Sequence, residues 1–189
     1  MSIYFSSDLH LGHNKDFIYE ARGFKSVEEM NYEIKNRFIK TLTDKDCLIL
    51  LGDTIPNPKL VDLIQPFFQD IPCPIQMVWG NHDYPLVKNT ILNIPNITEY
   101  QWGGYGGPFW VSKTKHFFLS HYPTMIEHFD PRDRFKEAIN LCGHKHTKNK
   151  FEDFGQYNIY HCEVDAHNCY PVKLENIIDD IIEYSKKVQ

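Results

Sequence analysis

Seven residues able to bind a divalent ion stand just beyond short apolar runs. Ile3-Tyr4-Phe5 leads into Asp8 and His10, and Cys47 to Leu51 leads into Gly52-Asp53. Ile75 to Trp79 leads into Gly80-Asn81-His82-Asp83, His116 to Leu119 into Ser120-His121, and Ile139 to Cys142 into Gly143-His144-Lys145-His146. Asp8, His10, Asp53, Asn81, His121, His144 and His146 offer carboxylate, amide and imidazole donors together. A mixed N/O set of this kind suits Mn, Fe, Zn, Co or Ni, whereas Ca and Mg sites draw mainly on oxygen. One ion rarely uses seven protein ligands; two neighbouring ions sharing a bridging carboxylate do. Taken singly, an Asp-x-His or a Gly-Asp is ordinary turn punctuation. Five such events at the ends of apolar runs in one short chain point to a metal centre.

Those runs must be the elements that position the ligands. Their length, their β-branched and aromatic content and their Gly or polar stops read as buried strands. Ligand sites of layered α/β folds gather outside the carboxyl ends of strands. Ser26 followed by Glu29 is a capping box, and Val27, Met30, Ile34 and Phe38 predict a helix to about Leu42. Leu60, Val61, Leu63 and Ile64 predict a shorter helix between Pro58 and Gln69. Leu174, Ile177, Ile178, Ile181 and Ile182 form a one-sided stripe closed by Lys186 and Lys187, which reads as core packing. From Ile97 to His121 short strands and turns are expected, with "GGYGGPF" (Gly103 to Phe109) as a flexible turn, since it lacks the Lys-Ser/Thr of a phosphate-cradling loop. The expected fold is α/β, with helices around two packed mixed sheets.

Composition sets the frame. A chain of 189 residues is of ordinary single-domain size, so one domain over residues 1–189 is expected. The formal charge of -5 argues against a broad basic face for wrapping nucleic acid, although bound metal makes one cleft locally positive. Cys47, Cys73, Cys142, Cys162 and Cys169 are odd in number, which suggests free thiols in a reducing cytoplasm. No basic and apolar leader opens the sequence, and its apolar runs are too short to cross a bilayer, so a cytoplasmic protein without membrane attachment is expected.

Taken in order, Asp8-x-His10, Gly52-Asp53, Gly80-Asn81-His82-Asp83, Ser120-His121 and Gly143-His144-x-His146 resemble the motifs of the calcineurin-like metallophosphoesterase superfamily across almost the whole chain. "DLHLGH", "SHYP" and "VDAHNCYPVKLENI" further resemble its small, single-domain bacterial and phage members. The resemblance implies a layered sandwich of two mixed β-sheets flanked by α-helices, and a cofactor of two divalent metal ions (Mn, Fe, Ni or Zn). It implies Asp8, His10 and His146 on the first ion, Asn81, His121 and His144 on the second, and Asp53 bridging both. A water deprotonated between the ions is the expected nucleophile. His82 is then placed to stabilise phosphoryl oxygens or protonate the leaving alkoxide, with Asp83 as the group that orients it. One departure stands out. Many members carry an acid three positions after the bridging Asp, where this chain has Pro56; Asp83 is the candidate substitute. The Gly-Asp-x-x-Asp-Arg-Gly of protein phosphatases is absent as well.

Two residues at the edge of the motifs have open readings. His13 either rims the pocket and touches substrate phosphate or is a loop histidine. Arg22 either clamps phosphate through its guanidinium or forms a surface salt bridge. His128, His161 and His167 join no interpretable motif, and His161-Cys162 with Cys169 fits no regular zinc spacing. The expected activity is hydrolysis of a small, possibly nucleotide, phosphate ester, a diester rather than a monoester. A nuclease of the same superfamily and a non-catalytic scaffold on the same fold are the alternatives; the absence of a basic, aromatic-interleaved strip argues against the first, and the complete ligand set against the second.

Overall fold

The computed structural model describes residues 1–111, 116–124, 139–154 and 157–188. All five expected strands are present: β1 (Ile3–Ser6), β2 (Cys47–Leu50), β3 (Ile75–Met77), β6 (His116–Leu119) and β7 (Ile139–Cys142). They are joined by β4 (Ile97–Glu99), β5 (Gly107–Trp110), β8 (Phe151–Phe154), β9 (Tyr157–His161) and β10 (Val172–Lys173). The strands make two mixed five-stranded sheets. In the first, ordered β10-β1-β2-β3-β4, strands β1 to β4 run parallel and β10 is antiparallel at the edge. In the second, ordered β5-β6-β7-β9-β8, the central β6, β7 and β9 are parallel and both edges antiparallel.

The period of two in β2 sorts its side chains between two cores. Leu48 and Leu50 face a cluster containing Met30, Ile34 and Phe38 of helix α2 (Val27–Thr41). Ile49 and Leu51 face Leu119, Leu141 and Tyr160 of the second sheet, together with Leu174 and Ile177 of helix α5 (Leu174–Val188). A helix layer and a sheet layer thus cover opposite faces of the first sheet; of the terminal stripe Leu174, Ile177, Ile178 and Ile181 pack against the core, whereas Ile182 is exposed.

Local signals account for most element ends. Ser26 caps α2 by accepting from the Glu29 amide at 3.2 Å, while the Glu29 carboxylate reaches one residue beyond the expected partner, to the Lys25 amide at 2.6 Å. The helix expected from 58 to 69 is split into a 3-10 helix, Pro58–Leu63, and α3, Ile64–Phe68. Pro66 gives the reason. Deep inside one long helix its missing N–H would break the ladder, whereas starting α3 at Ile64 puts Pro66 in a first turn, where no donor is required. The glycine segment is part turn and part strand: Gly104 accepts from the Trp79 amide, and Gly107 begins β5. A four-residue helix α1 (Asp16–Tyr19) and α4 (Pro85–Leu92) also form; Pro85 opens α4, and Val87 and Ile91 anchor it. All five cysteines are free.

His167 lies in the connection from β9 to β10 with Nε2 donating to the His161 carbonyl at 2.8 Å. Burial outweighs that bond and pushes its pKa down to about 4. A histidine depressed in the folded state supplies stability that is complete above its unfolded pKa of about 6.5 and is lost as pH falls toward the folded value. His167→Gln, which keeps a donor without a proton equilibrium, is therefore expected to show a smaller drop in Tm between pH 6.5 and 4.5 than the parent. Equal drops would show that His167 does not contribute to acid sensitivity.

Candidate metal centre

The centre forms where the loops after β1, β2, β3, β6 and β7 converge. Beyond β1 the chain keeps bonding along the loop after β2: the amides of Asp8, His10 and Leu11 donate to the carbonyls of Gly52, Asp53 and Thr54 at 2.9, 3.2 and 2.9 Å. The backbone there is strained. Asp8, His10, Asp53, His144 and His146 all have positive φ, between 45° and 76°, a conformation that costs non-glycine residues roughly 1–3 kcal/mol each and persists only where the surroundings over-determine it. Two glycines let the loops close up. A Cβ on Gly80 would lie 2.1 Å from Asp53 Oδ1, and one on Gly143 would lie 2.1 Å from Asp8 Oδ2.

This convergence assembles two groups that can hold a metal ion, Asp8 with His10 and His146, and Asp53 with His121 and His144; within each, one donor atom per residue lies within 4.8 Å of the others. Asp53 Oδ2 stands 3.6 Å from His10 Nε2 and 3.4 Å from His121 Nε2, so one carboxylate oxygen faces both groups. His146 Nε2 approaches Asp8 Oδ1 to 3.7 Å. Asn81 Oδ1 lies 3.0 Å from His121 Nε2, which in turn is 3.2 Å from His144 Nδ1. The expected ligands are therefore neighbours in space.

The donors fit cations. Asp8 Oδ1 and both ring nitrogens of His10 are buried without a hydrogen-bond partner, an expensive condition unless an ion satisfies them. Although burial opposes it, the neighbouring His10, His121 and His146 rings hold the Asp8 carboxyl well below the usual carboxylate range. Burial outweighs Asp8 at His10 and lowers its pKa to about 4, leaving the neutral imidazole that binds metals. At Asp53 burial dominates and, with Asp8 and Asp83 nearby, raises the carboxyl above its ordinary value. His121 Nδ1 donates to the Leu51 carbonyl at 2.8 Å, which turns Nε2 toward Asp53.

His82 lies beside this array, its ring 5.1 Å from that of His10. Its amide donates to Asp53 Oδ1 at 2.8 Å and its Nδ1 donates to the Pro56 carbonyl at 2.7 Å, which leaves Nε2 free of that role. The orienting role expected of Asp83 thus needs correction. Asp83 is buried, and its carboxylate accepts from the amides of Asp53, Gly80 and Thr54 at 2.9, 2.8 and 3.3 Å. It ties the loops after β2 and β3 together. The orienting acceptor belongs to position 56 after all, supplied by the backbone instead of an acid.

Arg22 also departs from both of its readings. It is not at the surface: the guanidinium grips both oxygens of Asp165 at 2.9 and 2.8 Å, donates to the carbonyls of Leu9 and Asp8 at 2.9 Å each, and its side chain is 1% exposed. Its donors are committed inside the protein, so it cannot clamp phosphate. Asp165 in turn lies 3.2 Å from His146 Nδ1, and the Arg22 and His146 contacts override burial to bring its carboxyl down to about 2. Asp165 is the residue sequence reasoning missed. Val164-Asp165 follows β9 much as the candidate ligands follow their strands, but β9 has no clean apolar run that would have marked it in the sequence. His13 sits at the rim, with its ring 5.7 Å from that of His10. His161 lies between Glu152 and Glu163, at 3.3 and 3.7 Å, away from both metal groups. His128 lies outside the described residues.

The calcineurin-like phosphoesterase superfamily domain matches residues 1–161 of this sequence. The chain belongs to that superfamily. Its fold and its two candidate metal groups agree with a family of metal-dependent phosphoesterases. Uncharacterized protein MJ1445 of Methanocaldococcus jannaschii is 32% identical over 81 residues, a match that spans 43% of this chain and 46% of that protein. Among solved structures, the protein of unknown function AQ665 from Aquifex aeolicus superposes with a TM-score of 0.64 at 20% identity, over 95% of this chain and 98% of that one. The phosphopantetheinyl hydrolase PptH from Mycobacterium tuberculosis gives a TM-score of 0.43 at 12% identity, over 86% and 89% of the two chains. No helix among the described residues is long and apolar enough to cross a membrane.

Because Asp165 fixes the ring of His146, Asp165→Asn is expected to weaken the Asp8–His10–His146 position on the order of 10-fold or more. Metal analysis after dialysis against graded chelator should show one ion lost before the other, where the parent loses both at higher chelator. Unchanged retention of both ions would remove Asp165 from the centre.

Proposed function

We propose that the protein is a binuclear metal-dependent phosphoesterase acting on a small phosphodiester. The observation that carries this reading is the Asp53 carboxylate facing both metal groups, with the His82 imidazole fixed beside them. Asp8, His10 and His146 would hold one divalent ion, Asn81, His121 and His144 the other, and Asp53 both. Ions held there would polarise the phosphoryl oxygens and supply the activated nucleophile.

The chain's own residues do the rest. The Pro56 carbonyl takes the Nδ1 proton of His82, so Nε2 is the atom left to face substrate, and with a second proton there the ring would donate to a phosphoryl oxygen or give that proton to the leaving alkoxide. The hydrogen bond from the His82 backbone amide to Asp53 Oδ1 would tie this imidazole to the carboxylate that faces both ions. His13, three residues after His10, would line the substrate side of the first ion. The choice of diester over monoester is supported by Arg22: with that guanidinium turned inward, it does not help neutralise the second charge of a monoester dianion.

Metal-stripped protein is expected to regain hydrolysis of bis-p-nitrophenyl phosphate in preference to p-nitrophenyl phosphate when Mn, Fe, Ni or Zn is restored. Two bound ions without turnover of either ester would count against the reading. His82→Ala should lower kcat about 10²- to 10⁴-fold, the usual scale for a lost general acid, while two ions remain bound. An unchanged kcat would remove His82 from the reaction.

A further inference from the structure

Tyr122 follows His121 directly and leaves the chemistry described so far untouched. Its ring centroid lies 4.8 Å from that of His144 and 5.0 Å from that of His121, at interplanar angles of 63° and 77°. Neither imidazole lies flat on it, and the residue remains 49% exposed. Its backbone is held unusually firmly for an exposed aromatic. Ser120 Oγ and Thr124 Oγ1 donate to the Tyr122 carbonyl at 2.7 and 2.9 Å. Asn140 of β7, a buried polar side chain, donates to Ser120 Oγ at 2.9 Å and accepts from the Thr124 amide at 2.7 Å. A buried asparagine spent on bracing this turn holds the Tyr122 backbone beside the second metal group, so less freedom remains to be lost when the residue binds a partner.

A second open ring marks the other side. Phe17 is 71% exposed and meets His13 edge-on at 5.8 Å, and His13 meets His10 at 5.7 Å. Aromatic surface therefore lies beside the second metal group and reaches toward the first through His13. The cations written into the adjoining motifs point elsewhere: Arg22 is held by Asp165, and Lys145 reaches Glu152 at 3.9 Å. Of the described arginines, Arg22 is held by Asp165 and Arg37 lies over Phe24 and Tyr170, so among the described residues this aromatic surface favours a planar, neutral group beside the phosphate over a further phosphate.

Building on the phosphoesterase reading, we propose that the substrate is a nucleoside phosphodiester whose base stacks on Tyr122 while its phosphate meets the metal centre. Stacking of a base on one aromatic side chain raises affinity by about tenfold or more and depends on the ring, not on its hydroxyl.

The test compares thymidine 5′-p-nitrophenyl phosphate with methyl p-nitrophenyl phosphate, two diesters that release the same phenolate and differ in the nucleoside. With Mn-loaded protein, kcat/KM for the thymidine ester should exceed that for the methyl ester about tenfold or more. Tyr122→Phe should keep this ratio and Tyr122→Ala should bring it close to one. A ratio near one in the parent, or a parent-like ratio in Tyr122→Ala, overturns the proposal. If neither ester turns over with any metal, the phosphoesterase reading fails by itself. Calorimetric titration with thymidine 5′-monophosphate against methyl phosphate then decides the stacking: tighter thymidylate binding that Tyr122→Ala abolishes supports it, and equal affinities overturn it.

Discussion

Every part of the centre depends on the few residues beyond β1 being bonded on both sides at once. On one side the amides of Asp8, His10 and Leu11 follow the loop after β2; on the other, Ser7 pairs in parallel with Glu163, and the Val164 amide donates to the Ser7 carbonyl. That second contact joins the two sheets at their carboxyl ends. Without it Asp8 and His10 would belong to one sheet and His144, His146 and Asp165 to the other. The centre is a seam, and its position follows from where the sandwich closes.

Closing the seam has a cost that the folded chain carries in plain sight. Five residues of the centre take left-handed backbone angles, and buried Asp8 and His10 atoms lack partners. Hydrogen bonds from neighbouring elements hold the strain: the His144 amide donates to Asp8 Oδ2, the His82 amide to Asp53 Oδ1, and three amides converge on Asp83. In such an arrangement an ion held there would satisfy groups that no other described residue reaches, so its binding free energy would add to the stability of the fold. The Arg22–Asp165 pair shows the same economy, one buried ion pair bracing the Asp8 carbonyl and the His146 ring together.

Much of this was legible in the sequence because Asp and His after an apolar run are chemically conspicuous. The candidate ligands at the ends of β1, β2, β3, β6 and β7, which the fold brings together, could be picked out from residue type and position, and the order of motifs led to the right family. Asp165 escaped because β9 does not look like a strand: Tyr157-Asn158-Ile159-Tyr160-His161 mixes polar and aromatic residues without a clean run. The split at residues 58–68 followed from Pro66, whose effect depends on where a helix begins. Asp83 and Arg22 were given plausible partners in solvent or at the catalytic histidine, yet both turned inward. Sequence shows which groups a side chain carries, whereas burial decides whether those groups are free. The Pro56 carbonyl belongs to a kind of group no residue code reveals.

That carbonyl changes how variation around the site should be interpreted. A carboxylate at position 56 could be deleted by a single codon change, but a main-chain oxygen survives any substitution that keeps the local backbone path. Orientation of the His82 imidazole is therefore decoupled from the genetic identity of the residue that provides it. A neutral acceptor also sets the tautomer without bringing another negative charge near an anionic ester. Absence of the acid is thus a poor marker of a dead enzyme in chains built this way; the shape of the turn from Asp53 to Pro56 is the better one.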